Sequence, residues 1–280
     1  MTKIKISILI FSISLCTMVP ADDLRKVNFD LFEAAKVGDI DQVRLLLEQG
    51  ASVKARNRIG NTALVYAAKG GFLELSRFLI DEKSRVNQIN TRGENALMGA
   101  AKGGYINVVR LLLNEGSEVN QFSLKGVTAL TEATYGKHYE IVKLLLEQDA
   151  NVDNVDNTGK TAIIYAAANG NMEIMKLLLV QTKDINQKYA HDLTVLMWAA
   201  GYGNEDVVKL LLKNAANPDL QDDRGRSALM MAASSGHRSV VQILVGQGAD
   251  VNVMDNEGLT ASKLALKAGH TDTVEILTTF

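Results

Sequence analysis

The sequence predicts an all-α repeat solenoid, in which helix-turn-helix units stack side by side and β-hairpin-like turns join them. Three observations support this fold class. Glycine recurs every 33 residues, except that Asp192 stands where one glycine of this series is expected. Two residues after each position of the series stands a Thr, Ser or Asn, and runs of leucine recur in the same phase. The glycines of the series are Gly60, Gly93, Gly126, Gly159, Gly225 and Gly258.

Each recurring position has a physical role in such a unit. Thr, Ser or Asn is a good helix N-cap, because its side chain accepts a hydrogen bond from a free amide of the first turn. Pairs of alanines, such as residues 67–68, let neighbouring units approach closely. A second glycine then ends the first helix in a left-handed conformation. The leucine run that follows has the spacing of a second amphipathic helix.

Three positions carry another residue where the chain is expected to take the left-handed conformation. Asp192 replaces a turn glycine, and Lys83 and Thr182 stand where a helix ends and glycine would fit best. A non-glycine residue in this conformation costs about 1 kcal/mol.

The repeated motifs resemble those of the ankyrin-repeat family. Residues 128–133 read TALTEA, residues 140–146 read EIVKLLL, and residues 248–252 read GADVN. The family's proline after the cap is replaced by Ala, or once by Val195, and its histidine is replaced by apolar residues, Thr131 or Lys263. Relative to the family, we expect this loss of histidine to remove the hydrogen-bond network of the turns and to leave neighbouring repeats dependent on apolar packing.

The chain is therefore divided into a signal peptide, residues 1–21, and an ankyrin-repeat domain, residues 22–280. The eight predicted repeats are residues 28–56, 57–89, 90–122, 123–155, 156–188, 189–221, 222–254 and 255–280.

The first 21 residues have the pattern of a cleaved export signal. Lys3 and Lys5 precede an apolar run that is too short to span a membrane, and small residues place cleavage between Ala21 and Asp22. A retained anchor and a lipid anchor on Cys16 are the alternatives. Cys16 is the only cysteine, so the mature chain would hold no disulfide or thiolate site. These features indicate a bacterial periplasmic or secreted protein without a membrane span.

Catalysis has little support in the sequence. Residues 157–161 end like a phosphate-binding loop, but the glycine required five positions before Gly159 is Asn154. Three of the four histidines, His138, His237 and His270, occupy one repeat position, where a structural hydrogen bond in the turn is expected. We therefore predict no enzyme activity, no cofactor and no metal site. The net charge of −2 disfavours nucleic acid as a partner.

The ankyrin resemblance implies that a partner protein binds in a concave groove lined by the turn tips and the inner helices. Variable positions there are basic in the first half of the chain and aromatic in the second, with two arginines beyond. We expect the basic end to steer an acidic segment of the partner and the aromatic end to anchor it. The candidate residues are Arg58, Lys69, Arg92, Lys102, Lys125, Tyr135, Tyr202, Arg224 and Arg226.

Simpler explanations for these residues remain open. Lysines on an exposed helix face can be merely solvated, and Tyr66, Tyr165 and Trp198 share one repeat position at which a large side chain can pack between repeats. Taken together, the sequence predicts an exported, monomeric, non-enzymatic scaffold for protein–protein interaction. A secreted effector acting on host proteins and an accessory or inhibitor of one envelope enzyme are the alternative functions.

The export signal can be tested by fractionating source cells and measuring the intact mass of the protein. We expect a soluble envelope protein that begins at Asp22. An acylated form beginning at Cys16 would place it on a membrane surface, and an intact chain in the cytosol would contradict the export prediction.

Overall fold

A computed structural model of the protein describes residues 21–279, and the predicted signal peptide up to residue 20 lies outside the described residues. This part of the chain contains sixteen α-helices and one short 3₁₀ turn, Ala190–Asp192. The first eight helices are α1 (Ala21–Val37), α2 (Ile40–Glu48), α3 (Ala63–Lys69), α4 (Leu73–Asp81), α5 (Ala96–Gly103), α6 (Ile106–Asn114), α7 (Ala129–Tyr135) and α8 (Tyr139–Glu147). The others are α9 (Ala162–Ala168), α10 (Met172–Gln181), α11 (Val195–Gly201), α12 (Glu205–Lys213), α13 (Ala228–Ser234), α14 (Arg238–Gly246), α15 (Ala261–Lys267) and α16 (Thr271–Thr278).

The helices form two layers of an all-α solenoid, as the sequence predicts. Each odd-numbered helix packs against the even-numbered helix that follows it and against the next odd-numbered helix. Odd-numbered helices approach one another more closely than even-numbered helices do. The layer of odd-numbered helices is therefore called the inner layer, because closer spacing on one side curves a stack toward that side.

The helix starts follow the predicted capping pattern. At Thr62, for example, the side-chain oxygen accepts a hydrogen bond from the amide of Val65, and Asn95 caps α5 through the amide of Met98 in the same way. Thr161 occupies the equivalent position before α9 without making this bond. The alanine pairs are also where the period places them: Ala67 and Ala68 are both 0% exposed. Their small side chains lie in one apolar core that runs along the described stack.

The turns contain a hydrogen-bond network of their own, which corrects the expectation that they would lack one. Asp156 Oδ1 accepts from the amides of Thr158 and Lys160, at 2.7 and 3.1 Å. A short polar side chain in a turn can accept hydrogen bonds from the backbone amides that follow it, here those two and four residues further on. The same bonds form at Asn57, Asn90, Ser123, Asp222 and Asp255.

Backbone hydrogen bonds also link the tips of successive turns. The amide of Leu124 donates to the carbonyl of Arg92 at 2.7 Å, and that of Asn157 donates to Lys125 at 2.9 Å. Neighbouring repeats are thus held by polar contacts at the turns as well as by apolar contacts between helices.

The residues that replace glycine behave differently from one another. Lys83 and Asp192 take the expected left-handed conformation, with φ of 68° and 58°. The prediction for Thr182 is wrong, because its φ of −78° and ψ of 122° are extended. The preceding helix, α10, continues to Gln181, and the Thr182 hydroxyl donates to the carbonyl of Leu178 at 3.0 Å.

Glycine substitutions at these two equivalent positions should have opposite effects. Lys83→Gly is expected to stabilise the protein by about 1 kcal/mol, since it removes the strain of a lysine held in the left-handed conformation. Thr182→Gly should destabilise it by about as much, because glycine loosens an extended residue and removes the hydroxyl bond. Urea unfolding of the two variants and the wild-type protein measures both changes. A shift in the same direction for both would contradict the assigned backbone conformations.

Candidate partner-binding face

The inner face is the surface formed by the exposed side chains of the inner helices together with the turn tips. Residues one repeat apart occupy equivalent places on it, because the helices repeat with the same phase. One such series runs Tyr66, Gly99, Glu132, Tyr165 and Trp198 along α3, α5, α7, α9 and α11. The residue at this position differs from repeat to repeat, and both Tyr66 and Trp198 are partly buried against the core.

Four of the predicted basic residues line one depression of about 280 Å³, called the basic depression below. Lys69 and Lys102 come from α3 and α5, whereas Arg92 and Lys125 come from two successive turns. All four are exposed. The depression has room because Gly99 has no side chain; a Cβ there would meet the stem of Lys69.

Two carboxylates that the sequence reasoning missed also line the basic depression. Glu132 lies 3.3 Å from the ammonium of Lys102, and Glu94 stands beside the same cavity. The Lys102 side chain is 64% exposed, so water screens this ion pair and its attraction is weak. With four cations and two carboxylates, the depression keeps an excess of positive charge.

The predicted tyrosines belong to a set of four rings, called the aromatic row below. Tyr135 meets Tyr165 edge to face, with ring centroids 5.7 Å apart, and Trp198 stacks on Tyr202 at 6.0 Å. Tyr135 and Tyr202 are 60% and 57% exposed, while the two central rings are half-buried. The packing interpretation of the central rings is thus partly right: both contact neighbouring side chains, and both are only partly buried.

Lys160 joins the two halves of the aromatic row. Its ammonium lies 5.6 Å from the centroid of Tyr165 and 5.0 Å from that of Trp198. No ion pair or hydrogen bond of this ammonium occurs among residues 21–279, so its attraction to the two rings is its visible stabilisation. One signal in the sequence could have pointed to it: Lys160 occupies the same repeat position as Glu94, one residue before a helix cap.

A short hydrogen bond to the preceding turn holds the Tyr165 ring in place. Its hydroxyl donates to Asp156 Oδ2 at 2.6 Å. Burial and this bond to the carboxylate raise the pKa of Tyr165 to about 12. Burial acts to raise the pKa of Asp156 as well, but hydrogen bonds from Tyr165, Thr158 and the turn amides outweigh it and lower that pKa.

Three predicted arginines lie apart from both features. Arg58 borders a separate cleft beside Phe29 and Phe32 at the first repeat. Arg224 lies 3.3 Å from Asp222, and Arg226 lies 3.8 Å from Asp255. These last two arginines are thus engaged with turn carboxylates, and the structure does not bring them to the aromatic row.

The histidines have the structural role that the sequence predicts at two positions. His138 Nε2 hydrogen bonds to the carbonyl of Lys102 at 3.1 Å, and His237 Nε2 bonds to that of Gly201 at 3.0 Å. The ring of His270 packs against Gly236.

Within residues 21–279, no group of His, Cys, Asp and Glu side chains is arranged to hold a metal ion. No helix of this part of the chain has the length and hydropathy to cross a membrane.

Comparison with known families agrees with this architecture. A family model described as "Ankyrin repeats (3 copies)" matches residues 31–123, 120–189 and 190–279. The chain belongs to the ankyrin-repeat family. Proteins of this family generally act as interaction modules rather than as enzymes, and their repeats typically mediate protein–protein contacts. A search among curated proteins found no match for this ankyrin-repeat chain.

The bond between Tyr165 and Asp156 predicts a defined pH dependence of stability. Because the folded state lowers the pKa of Asp156, its stabilisation is present above the unfolded pKa of about 3.9 and is lost as the pH falls through the folded value. Because the pKa of Tyr165 is raised, its stabilisation is complete below pH 10 and is lost as the pH rises through about 12.

Tyr165→Phe should therefore lower the free energy of unfolding at neutral pH by about 1 kcal/mol. The difference from the wild-type protein should shrink on acidification, when Asp156 becomes protonated in both. Tyr135→Phe is the matched control, since no hydrogen bond of its hydroxyl occurs in the described chain. Urea unfolding at several pH values measures the effect, and equal losses in the two variants would contradict it.

Proposed function

We propose that the protein is an exported, non-enzymatic scaffold that binds a partner protein on its inner face. Membership of the ankyrin-repeat family supports a role in protein–protein interaction. The observation that carries the proposal for this face is that the basic depression and the aromatic row lie side by side. They meet on α7, which contributes both Glu132 and Tyr135.

Tyr135 and Tyr202 are large, rigid side chains exposed on a folded surface, and such residues contribute heavily to binding when a partner desolvates them. The neighbouring cations attract an acidic partner from a distance and thereby raise the association rate. Export remains part of the proposal because of the predicted signal at residues 1–21. We propose the periplasm or the outside of the cell as the place of action.

Photo-crosslinking from defined positions tests the binding face. A photoreactive amino acid replaces either Tyr135, on the inner face, or Val180, which is 82% exposed on α10 in the outer layer. We expect the inner position to give a discrete crosslinked product in source cells and the outer position to give none. Products from Val180 alone would move the binding face to the other layer, and their masses would identify the partner in either case.

Charge reversal in the basic depression should weaken that partner's binding. Lys102→Glu places a carboxylate beside Glu132, so we expect about a tenfold loss of affinity that grows smaller at high salt. Tyr202→Ala should cost a similar factor with little dependence on salt. Lys176→Glu on the outer helix α10 is the control. Unchanged affinity in both inner-face variants would refute the proposed role of this face.

A further inference from the structure

We propose that the first three turns of the stack form a docking site for a lipid surface with anionic headgroups. The site, called the turn edge below, consists of the exposed side chains of residues 56–59, 89–92 and 122–125. The proposal goes beyond the partner protein, because it assigns a second kind of partner to side chains that mostly lie outside the basic depression and the aromatic row. Two of its cations, Arg92 and Lys125, also line the basic depression.

Extended backbone brings the apolar side chains of the turn edge to the surface. Phe122 and Leu124 are 58% and 72% exposed, whereas Ser123 between them is buried. Phe122 forms an antiparallel bridge with Thr128, and residues two apart in extended backbone lie on the same side. Ile89 is the equivalent of Phe122 one repeat earlier, and it is exposed as well. Large apolar side chains thus face solvent in successive turns.

Backbone hydrogen bonds join these turns into one edge of the stack. The amide of Thr91 donates to the carbonyl of Ile59 at 2.9 Å, and the bond from Leu124 to Arg92 links the second turn to the third in the same way. Ile59 is itself exposed. The apolar side chains of the three turns therefore lie along one edge, and the backbone that carries them is held by the neighbouring turn.

The charge of the turn edge is positive throughout. Its residues include three arginines and one lysine but no carboxylate. Among the seven turns of the described stack, exposed apolar side chains combine with exclusively positive charge only in the first three. Each of the four later turns contains at least one Asp or Glu: residues 156–159, 189–192, 222–225 and 255–258.

A lipid surface fits this combination better than the pocket of a second protein does. A bilayer interface takes up protruding apolar side chains without a shaped cavity, at the boundary between headgroups and acyl chains. Arginine and lysine beside them are attracted to anionic headgroups and keep their charged ends in water. Anionic phospholipid therefore accommodates both the apolar and the cationic side chains of the turn edge.

Binding of residues 22–280 to lipid vesicles tests the proposal by co-sedimentation. One set of vesicles contains phosphatidylcholine alone, and the other contains a mixture of phosphatidylcholine and phosphatidylglycerol. We expect saturable binding to the anionic vesicles and about tenfold weaker binding to the neutral ones. Because the attraction is partly ionic, binding to the anionic vesicles should also weaken at high salt.

Two variants separate the apolar from the ionic contribution. Leu124→Ser removes an exposed apolar side chain and should weaken binding to anionic vesicles by about tenfold. Arg58→Glu reverses a charge outside the basic depression and should weaken binding by about the same factor. Val180→Ser and Lys213→Glu are the matched controls, because both residues are exposed on outer helices, α10 and α12. We expect both controls to bind like the wild-type protein.

A fluorescent label shows whether the turn edge itself enters the lipid. Residues 22–280 contain no cysteine, so a single introduced cysteine can be labelled alone. An environment-sensitive fluorophore on Leu124→Cys should shift its emission to shorter wavelength with anionic vesicles, because the label moves from water into the interface. The same label on Val180→Cys should show no shift.

Several results would overturn the proposal. Equal binding to neutral and anionic vesicles would exclude recognition of charge, and binding to neither would exclude a lipid surface. Binding that both turn-edge variants retain and Lys102→Glu loses would move the site to the basic depression. If vesicles do not bind but a photoreactive residue at Leu124 crosslinks to a protein, the turn edge is a protein interface. Crosslinking from Tyr135 tests the proposed function separately in every case.

Discussion

The close approach of neighbouring inner helices is the interaction on which the rest of the structure depends. A single helix pair cannot bury its own apolar face, so each repeat of this chain gains its core from the repeats beside it. Alanines make that approach possible: Ala100, Ala101 and their equivalents in most repeats lie fully buried between inner helices. A larger side chain there would separate two repeats and expose the leucines behind them.

The same contact determines the geometry of the inner face. Because the helices are held at one spacing, an exposed position that recurs in each repeat becomes a regular row along the stack. The series from Tyr66 to Trp198 changes from aromatic to glycine to carboxylate and back to aromatic, while the alanine pairs beside it stay buried in most repeats. The fold therefore fixes where side chains stand, while the residues chosen at those places determine what can bind.

Sequence periodicity predicts most of the features that all repeats share, but not the contacts between individual side chains of two repeats. Helix caps, the two layers and the left-handed Lys83 follow from local patterns. The pair between Lys102 and Glu132 joins residues thirty positions apart, and Lys160 reaches Trp198 in the next repeat. No local pattern encodes these partners. The expectation for the turns is wrong because it considers only the absent family histidine and leaves out the Asp and Asn acceptors, such as Asp156.

The weakness of the ion pair between Lys102 and Glu132 indicates different roles for the basic depression and the aromatic row in the proposed binding. Glu132 is only partly exposed, but the Lys102 ammonium is open to solvent, so an incoming carboxylate can replace Glu132 at little cost. The gain from that exchange is correspondingly small. In the proposed function, the basic depression would therefore attract and orient a partner, and most of the affinity would come from desolvating the rings of Tyr135 and Tyr202.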